Sequence, residues 1–106
     1  LRGRSSFQSP AYNAVKMIEA AMGGEKFTLP AGCYVNHDKL GFKNVMMAMP
    51  TTIDKTGVHF TEPTGTEEEL ASLAKSYEHL CKMRDEIVEL GIVPPVAEWT
   101  KMNPNL

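Results

Sequence analysis

The chain has 106 residues, 23% of them charged, and a net charge of −2. That is enough for one small domain, and it gives no electrostatic pull toward nucleic acid or an anionic membrane surface. No run of about 18 apolar residues occurs, so no membrane span is expected.

Ser9-Pro10 is a helix-start signal, because a serine hydroxyl can accept a free backbone N–H and an early proline gives up only a donor that had no partner. Behind it Ala11, Ala14, Val15, Ile18, Ala21 and Met22 fall on one face at helical spacing. Alanine dominates that face, so another backbone can approach it closely. Gly23-Gly24 supplies the left-handed stop. Lys26 to Val35 reads as extended, with Phe27 and Leu29 alternating with Lys26 and Thr28 before Pro30 bends the run. Asn36-His37-Asp38-Lys39 is a turn and Gly41 a second break. Asn44 to Ile53 reads as a strand broken by Pro50, with Met46, Met47 and Met49 expected in the core. Asp54-Lys55-Thr56-Gly57 then joins it to Val58-His59-Phe60-Thr61 as an antiparallel hairpin.

Thr66 to Leu90 is the longest expected helix. Thr66 and Glu69 have capping-box spacing, and three glutamates occupy the first turn, where the helix dipole favours them. Leu70, Leu73, Ala74, Tyr77, Leu80, Cys81, Arg84, Ile87 and Val88 trace one stripe, with Arg84 at its edge. Gly91 and Pro94-Pro95 end the helix. Residues 92–106 are expected to run as an extended tail with Trp99 tacked onto the body. The fold class is therefore α+β: an antiparallel sheet of about three strands, an N-terminal helix and a long C-terminal helix, in a single domain over 1–106.

The residues assemble no active site by themselves. His37, His59 and His79 stand alone, without metal-ligand spacing, and read as solvated or packing side chains. Cys33 and Cys81 are isolated thiols, which suits a reduced, intracellular protein. No glycine-rich phosphate loop is present. The opening Leu-Arg-Gly-Arg is not a secretory leader, and the lack of an initial methionine hints at a fragment.

Several segments, in order, resemble the C-terminal part of malate dehydrogenases of the lactate/malate dehydrogenase family. Ser5-Ser6-Phe7-Gln8-Ser9-Pro10-Ala11 is similar to that family's G-S-A-aromatic-aromatic-A-P-A run. Thr28 to Val35 resembles its L-P-x-x-A-Y-L strand, and Gly41 the glycine of the Y-G turn. Val45 to Ile53 resembles V-x-V-P-V-V-I, Lys55 to Val58 the N-G-V turn, and Glu67-Glu68-Glu69 the start of the terminal helix. The family usually has glycine at Arg4 and alanine at Ser6, and residues 92–106 are unlike its usual ending.

The resemblance implies hydride transfer between malate and NAD, with oxaloacetate as product, in a cytoplasmic enzyme of the tricarboxylic acid cycle. It implies that Ser5 and Ser6 line the substrate pocket and that Pro10 packs against the nicotinamide ring of the NAD cofactor. It places the catalytic histidine, the arginine clamps and the nucleotide-binding domain upstream, so that the chain alone is inactive and holds no catalytic residue or metal. It also puts the first helix at a dimer contact. The alternative is a small non-enzymatic α+β module that dimerises through that helix, and the alanines could instead pack on the sheet.

Overall fold

In the computed structural model, which describes residues 7–106, three helices and four strands follow in the order α1 (Gln8–Ala21), β1 (Ala31–His37), β2 (Phe42–Met49), β3 (Thr51–Asp54), β4 (Gly57–Phe60), α2 (Glu67–Glu89) and α3 (Val96–Met102). The α+β class with antiparallel strands holds. The strands form two small sheets, β1–β2 and β3–β4, instead of one sheet of about three. Pro50 is the reason: it lacks a backbone donor and splits the expected 44–53 strand into β2 and β3. The chain divides into two compact units, Leu1–Ala31 with Met49–Glu62 and Gly32–Ala48 with Pro63–Leu106.

In the first unit, α1 starts at Gln8, two residues before Pro10. Pro10 still lies in the first turn, where its missing N–H costs nothing. Neither Ser9 nor any other side chain caps this end. The far end is closed as expected. Gly23 takes φ 96°, its N–H donates to Ala20 O, and the Gly24 N–H donates to Glu19 O at 2.9 Å. This pair of bonds satisfies two carbonyls that the helix leaves open.

The β3–β4 hairpin pairs Thr51 with Phe60 and Asp54 with Gly57. Phe27 pairs with the other edge of β3, exchanging both backbone bonds with Ile53 at 3.1 and 2.8 Å. Ala20, Phe27 and Ile53 make the core here, with Met17 and Ala31 packed against it.

That packing turns α1 over relative to the sequence expectation. The face of Ala11, Ala14, Val15, Ile18, Ala21 and Met22 is exposed, and the covered side is Asn13, Lys16, Met17 and Ala20. The contact residue is Ala20, wholly buried against Phe27 and Ile53, and it lies on the opposite side of the helix. The alternative of alanines packed on the sheet is thereby excluded for Ala11, Ala14 and Ala21.

In the second unit, β1 and β2 flank the short turn at 38–41, which only an antiparallel pair can use. Helix α2 has the expected capping box: the Glu69 N–H donates to Thr66 Oγ1, and the Thr66 N–H donates to Glu69 Oε2 at 2.8 Å. Its partly covered stripe is Leu73, Ala74, Tyr77, Leu80, Cys81, Arg84 and Val88. Gly91, at φ 73°, closes the helix with the same pair of bonds seen after α1. The tail is not extended throughout. Proline needs no donor at a helix start, so Pro95 can serve as N-cap for α3 over Val96–Met102. Cys33 is buried and Cys81 partly so, and no disulfide joins them.

The Asp54 turn is pH-sensitive. Hydrogen bonds from the Thr56 hydroxyl and the Thr56 N–H hold its carboxyl below the ordinary 3.8. A depressed folded value means that the stabilisation is complete above 3.8 and is lost as pH falls through the folded value. An NMR titration of the side-chain carboxyl carbon should therefore give an Asp54 midpoint below 3.8, moving back toward it in Thr56→Val.

Candidate functional site

Of the three sequence-predicted site residues, Ser5 and Ser6 lie outside the described residues. Pro10 sits in the first turn of α1 and is exposed. Phe7 at the N-cap and Val15, Ile18 and Met22 beyond Pro10 are exposed on the outward side of α1, Met22 with 84% of its surface exposed. Ala11 and Ala14 lie among them, so the face is apolar and without bulk at its centre.

The histidines are accounted for without chemistry. His37 Nδ1 accepts the Leu40 N–H at 3.2 Å inside its turn. His59 Nε2 lies 2.9 Å from Thr56 Oγ1 on an exposed hairpin. His79 is exposed on α2. Among the described residues no group of three His, Cys, Asp or Glu could hold a metal ion, and no helix is long and apolar enough to cross a membrane.

The second unit holds a polar cluster that the sequence did not reveal. Asn44 has φ 55°, the one non-glycine residue among those described with a left-handed backbone. The residue interrupts β2: burial passes from Phe42 to Val45, Met47 and Met49, so the alternation slips by one position at Asn44. Three groups pin it. Arg84 Nη1 donates to Lys43 O at 3.2 Å and to Asn44 O at 3.1 Å. Tyr34 Oη donates to Asn44 Oδ1 at 2.5 Å. The Lys43 N–H donates to Tyr77 Oη at 3.0 Å. Tyr77 also stacks on Phe42, with centroids 4.5 Å apart. A hydrogen bond with Cys81, then burial, raises the Tyr77 hydroxyl above its ordinary value of 10.0.

Arg84 thus lies within the stripe of α2 and not at its edge; its side chain is only 19% exposed. Beside this cluster a groove of about 340 Å³ opens between β2, α2 and α3. Trp99 lines it, tilted against Tyr34 at 6.3 Å, with its indole N–H donating to Pro94 O at 2.7 Å.

No family model matches the chain. Curated relatives do. The chain is 35% identical over 75 residues to the malate dehydrogenase of Geobacillus kaustophilus, and 33% identical over the same length to those of Anoxybacillus flavithermus and Geobacillus sp. (strain WCH70). Each match covers 70% of this chain. The chain is a relative of malate dehydrogenases. It spans about a quarter of their length, 24%, and corresponds to their C-terminal part.

The malate dehydrogenase likeness and the α+β fold agree with the order of segments read from the sequence. What sequence reading missed is the Arg84 cluster. Its signal was present: a single basic residue inside an otherwise apolar helical stripe needs buried acceptors. Replacing Arg84 with Met should cost about 2–3 kcal/mol in urea unfolding, since it removes charge-assisted bonds to two carbonyls. Arg84→Lys should recover less than half of that loss, because an ammonium lacks the planar fork.

Proposed function

We propose that this chain is the C-terminal catalytic-domain segment of an NAD-dependent malate dehydrogenase, the enzyme that moves a hydride between malate and NAD. The observation that carries the reading is the 75-residue likeness to malate dehydrogenases, and the element order of α1, two hairpins and α2 agrees with it. In this reading Ser5 and Ser6 line the substrate pocket and Pro10 packs against the nicotinamide. The exposure of Pro10 leaves it free for that contact. The histidine that moves the proton, the arginines that hold the substrate carboxylates and the glycine-rich nucleotide site belong to the remaining part of the family fold.

Hydride transfer to oxaloacetate needs a proton donor and positive charge placed at the developing alkoxide. Each histidine here is solvent-exposed or held within a turn, and in this reading the donor lies in the remaining part of the family fold. The purified chain should oxidise no NADH in the presence of oxaloacetate. Turnover that disappears on substituting a residue of this chain would overturn the reading.

The outward face of α1 supports a homo-oligomeric contact. Phe7, Val15, Ile18 and Met22 are large, apolar and exposed, and Ala11 and Ala14 leave room between them for a second helix. An arginine at the centre of that face would bury an unpaired charge. Native mass spectrometry should therefore show the dimer fraction of the protein falling at least tenfold in Ala14→Arg; an unchanged fraction would rule out α1 as the contact.

The same face also favours the second reading, a non-enzymatic module that dimerises through α1. The two differ in what the gene encodes: an upstream strand and helix joined by a glycine-rich turn belongs to the dehydrogenase reading alone.

A further inference from the structure

We propose that the groove beside Asn44 is a small-molecule site, taking an uncharged, flat, mostly apolar ligand with one hydrogen-bond acceptor. This use is separate from dehydrogenase chemistry and rests on residues 34–99 alone.

The size fits. At about 340 Å³ the groove lies at the small end of the range for ligand pockets. Its walls are Val45, Met46, Leu80, Met83, Ile87 and the Trp99 ring. Met46 and Met83 are 61% and 51% exposed, and thioethers adapt readily to an apolar shape. Trp99 is held in place before any ligand arrives, by its indole bond to Pro94 O and its tilt against Tyr34. The wall is thus preorganised, which lowers the ordering cost of binding. The tail gains a purpose by this: α3 places Trp99 in the groove lining.

The polar chemistry selects the ligand. The Asn44 carbonyl oxygens are both engaged, the side-chain one by Tyr34 and the backbone one by Arg84. Its side-chain NH2 carries two donors that no hydrogen bond uses, at the edge of an apolar groove. A carbonyl or ether oxygen would satisfy one of them. The charges argue against ions. Arg84 is matched by Asp85 at 2.9 Å and bound to two backbone carbonyls, leaving no cation to attract an acid. Glu86 on the same rim repels an anion further, and the mostly apolar lining makes stripping water from either kind of ion costly.

The left-handed backbone of Asn44 allows a test. Glycine adopts φ 55° without strain, so Asn44→Gly keeps the slip in β2 while removing the side-chain NH2 together with the Oδ1 that accepts from Tyr34. Met83→Arg puts a charged chain into the groove from an exposed position and leaves the core untouched. Binding would be followed by NMR at the Asn44 side-chain amide and at the indole N–H of Trp99, the one tryptophan of the chain.

With 1-indanone as probe, both signals should shift saturably, with a Kd on the order of 0.1–1 mM. Asn44→Gly should weaken binding about tenfold, the usual worth of one hydrogen bond. Met83→Arg should abolish it. Benzoate and benzylammonium should bind at least tenfold more weakly than the ketone. The proposal is overturned if the folded protein gives no saturable shift with indanone up to its solubility limit. It is equally overturned if either variant binds indanone as the parent does, or if one of the ions binds as tightly.

Discussion

The second unit depends on one guanidinium. A left-handed asparagine inside a strand is unfavourable, and the slip it causes would leave backbone carbonyls without sheet partners. Arg84 removes that cost by donating to the carbonyls of Lys43 and Asn44 from a helix forty residues away in sequence. Tyr77, about two turns of α2 before it, takes the Lys43 N–H. The irregular stretch of β2 is thereby tied to α2 by donors and acceptors of fixed geometry. The phase of the strand after the slip, which buries Val45, Met47 and Met49, follows from the same tie.

In the first unit the governing constraint is size, not polarity. Ala20 is fully covered beside Phe27 and Ile53, and Met17 fills the space next to it. A larger residue at position 20 would push the helix away from the Phe27–Ile53 bridge, because a filled core resists even one added methylene. Once Ala20 faces inward, helical geometry sends Ala11, Ala14, Val15 and Ile18 outward. The exposed apolar face is a consequence of the burial of one alanine.

Much of the architecture was legible. The capping box at Thr66, the glycine stops at Gly23 and Gly91, the Asp54–Gly57 turn and the α2 stripe are local signals, and the structure has each of them. What failed were the facing of α1, the phase of β2 and the tail, none of which the cap and turn signals fix. The direction of α1 could not be read, since apolar side chains occur on both of its sides and only the contact with Phe27 and Ile53 decides between them. Met46 was expected in the core beside Met47 and Met49. It points outward because the phase of β2 is set by Asn44 and an arginine far along the chain. The tail helix was missed because Pro94-Pro95 reads as a terminator, whereas the second proline here begins a helix. Of the candidate site, Ser5, Ser6 and Pro10 came only from resemblance, and the groove was not foreseen at all.

The two units expose apolar surface in different ways, and the difference bears on what each is for. The face of α1 is a convex ridge with small residues at its centre, a shape that suits another backbone and offers no enclosure to a small molecule. The groove at Asn44 is concave, with an aromatic wall already fixed and a pair of amide donors left over. Shape suits the first to the helix contact proposed above and the second to the proposed ligand, of some ten heavy atoms. Both follow from single residues held against preference: an alanine where the helix has larger apolar groups, and an asparagine where a strand prefers β-branched ones.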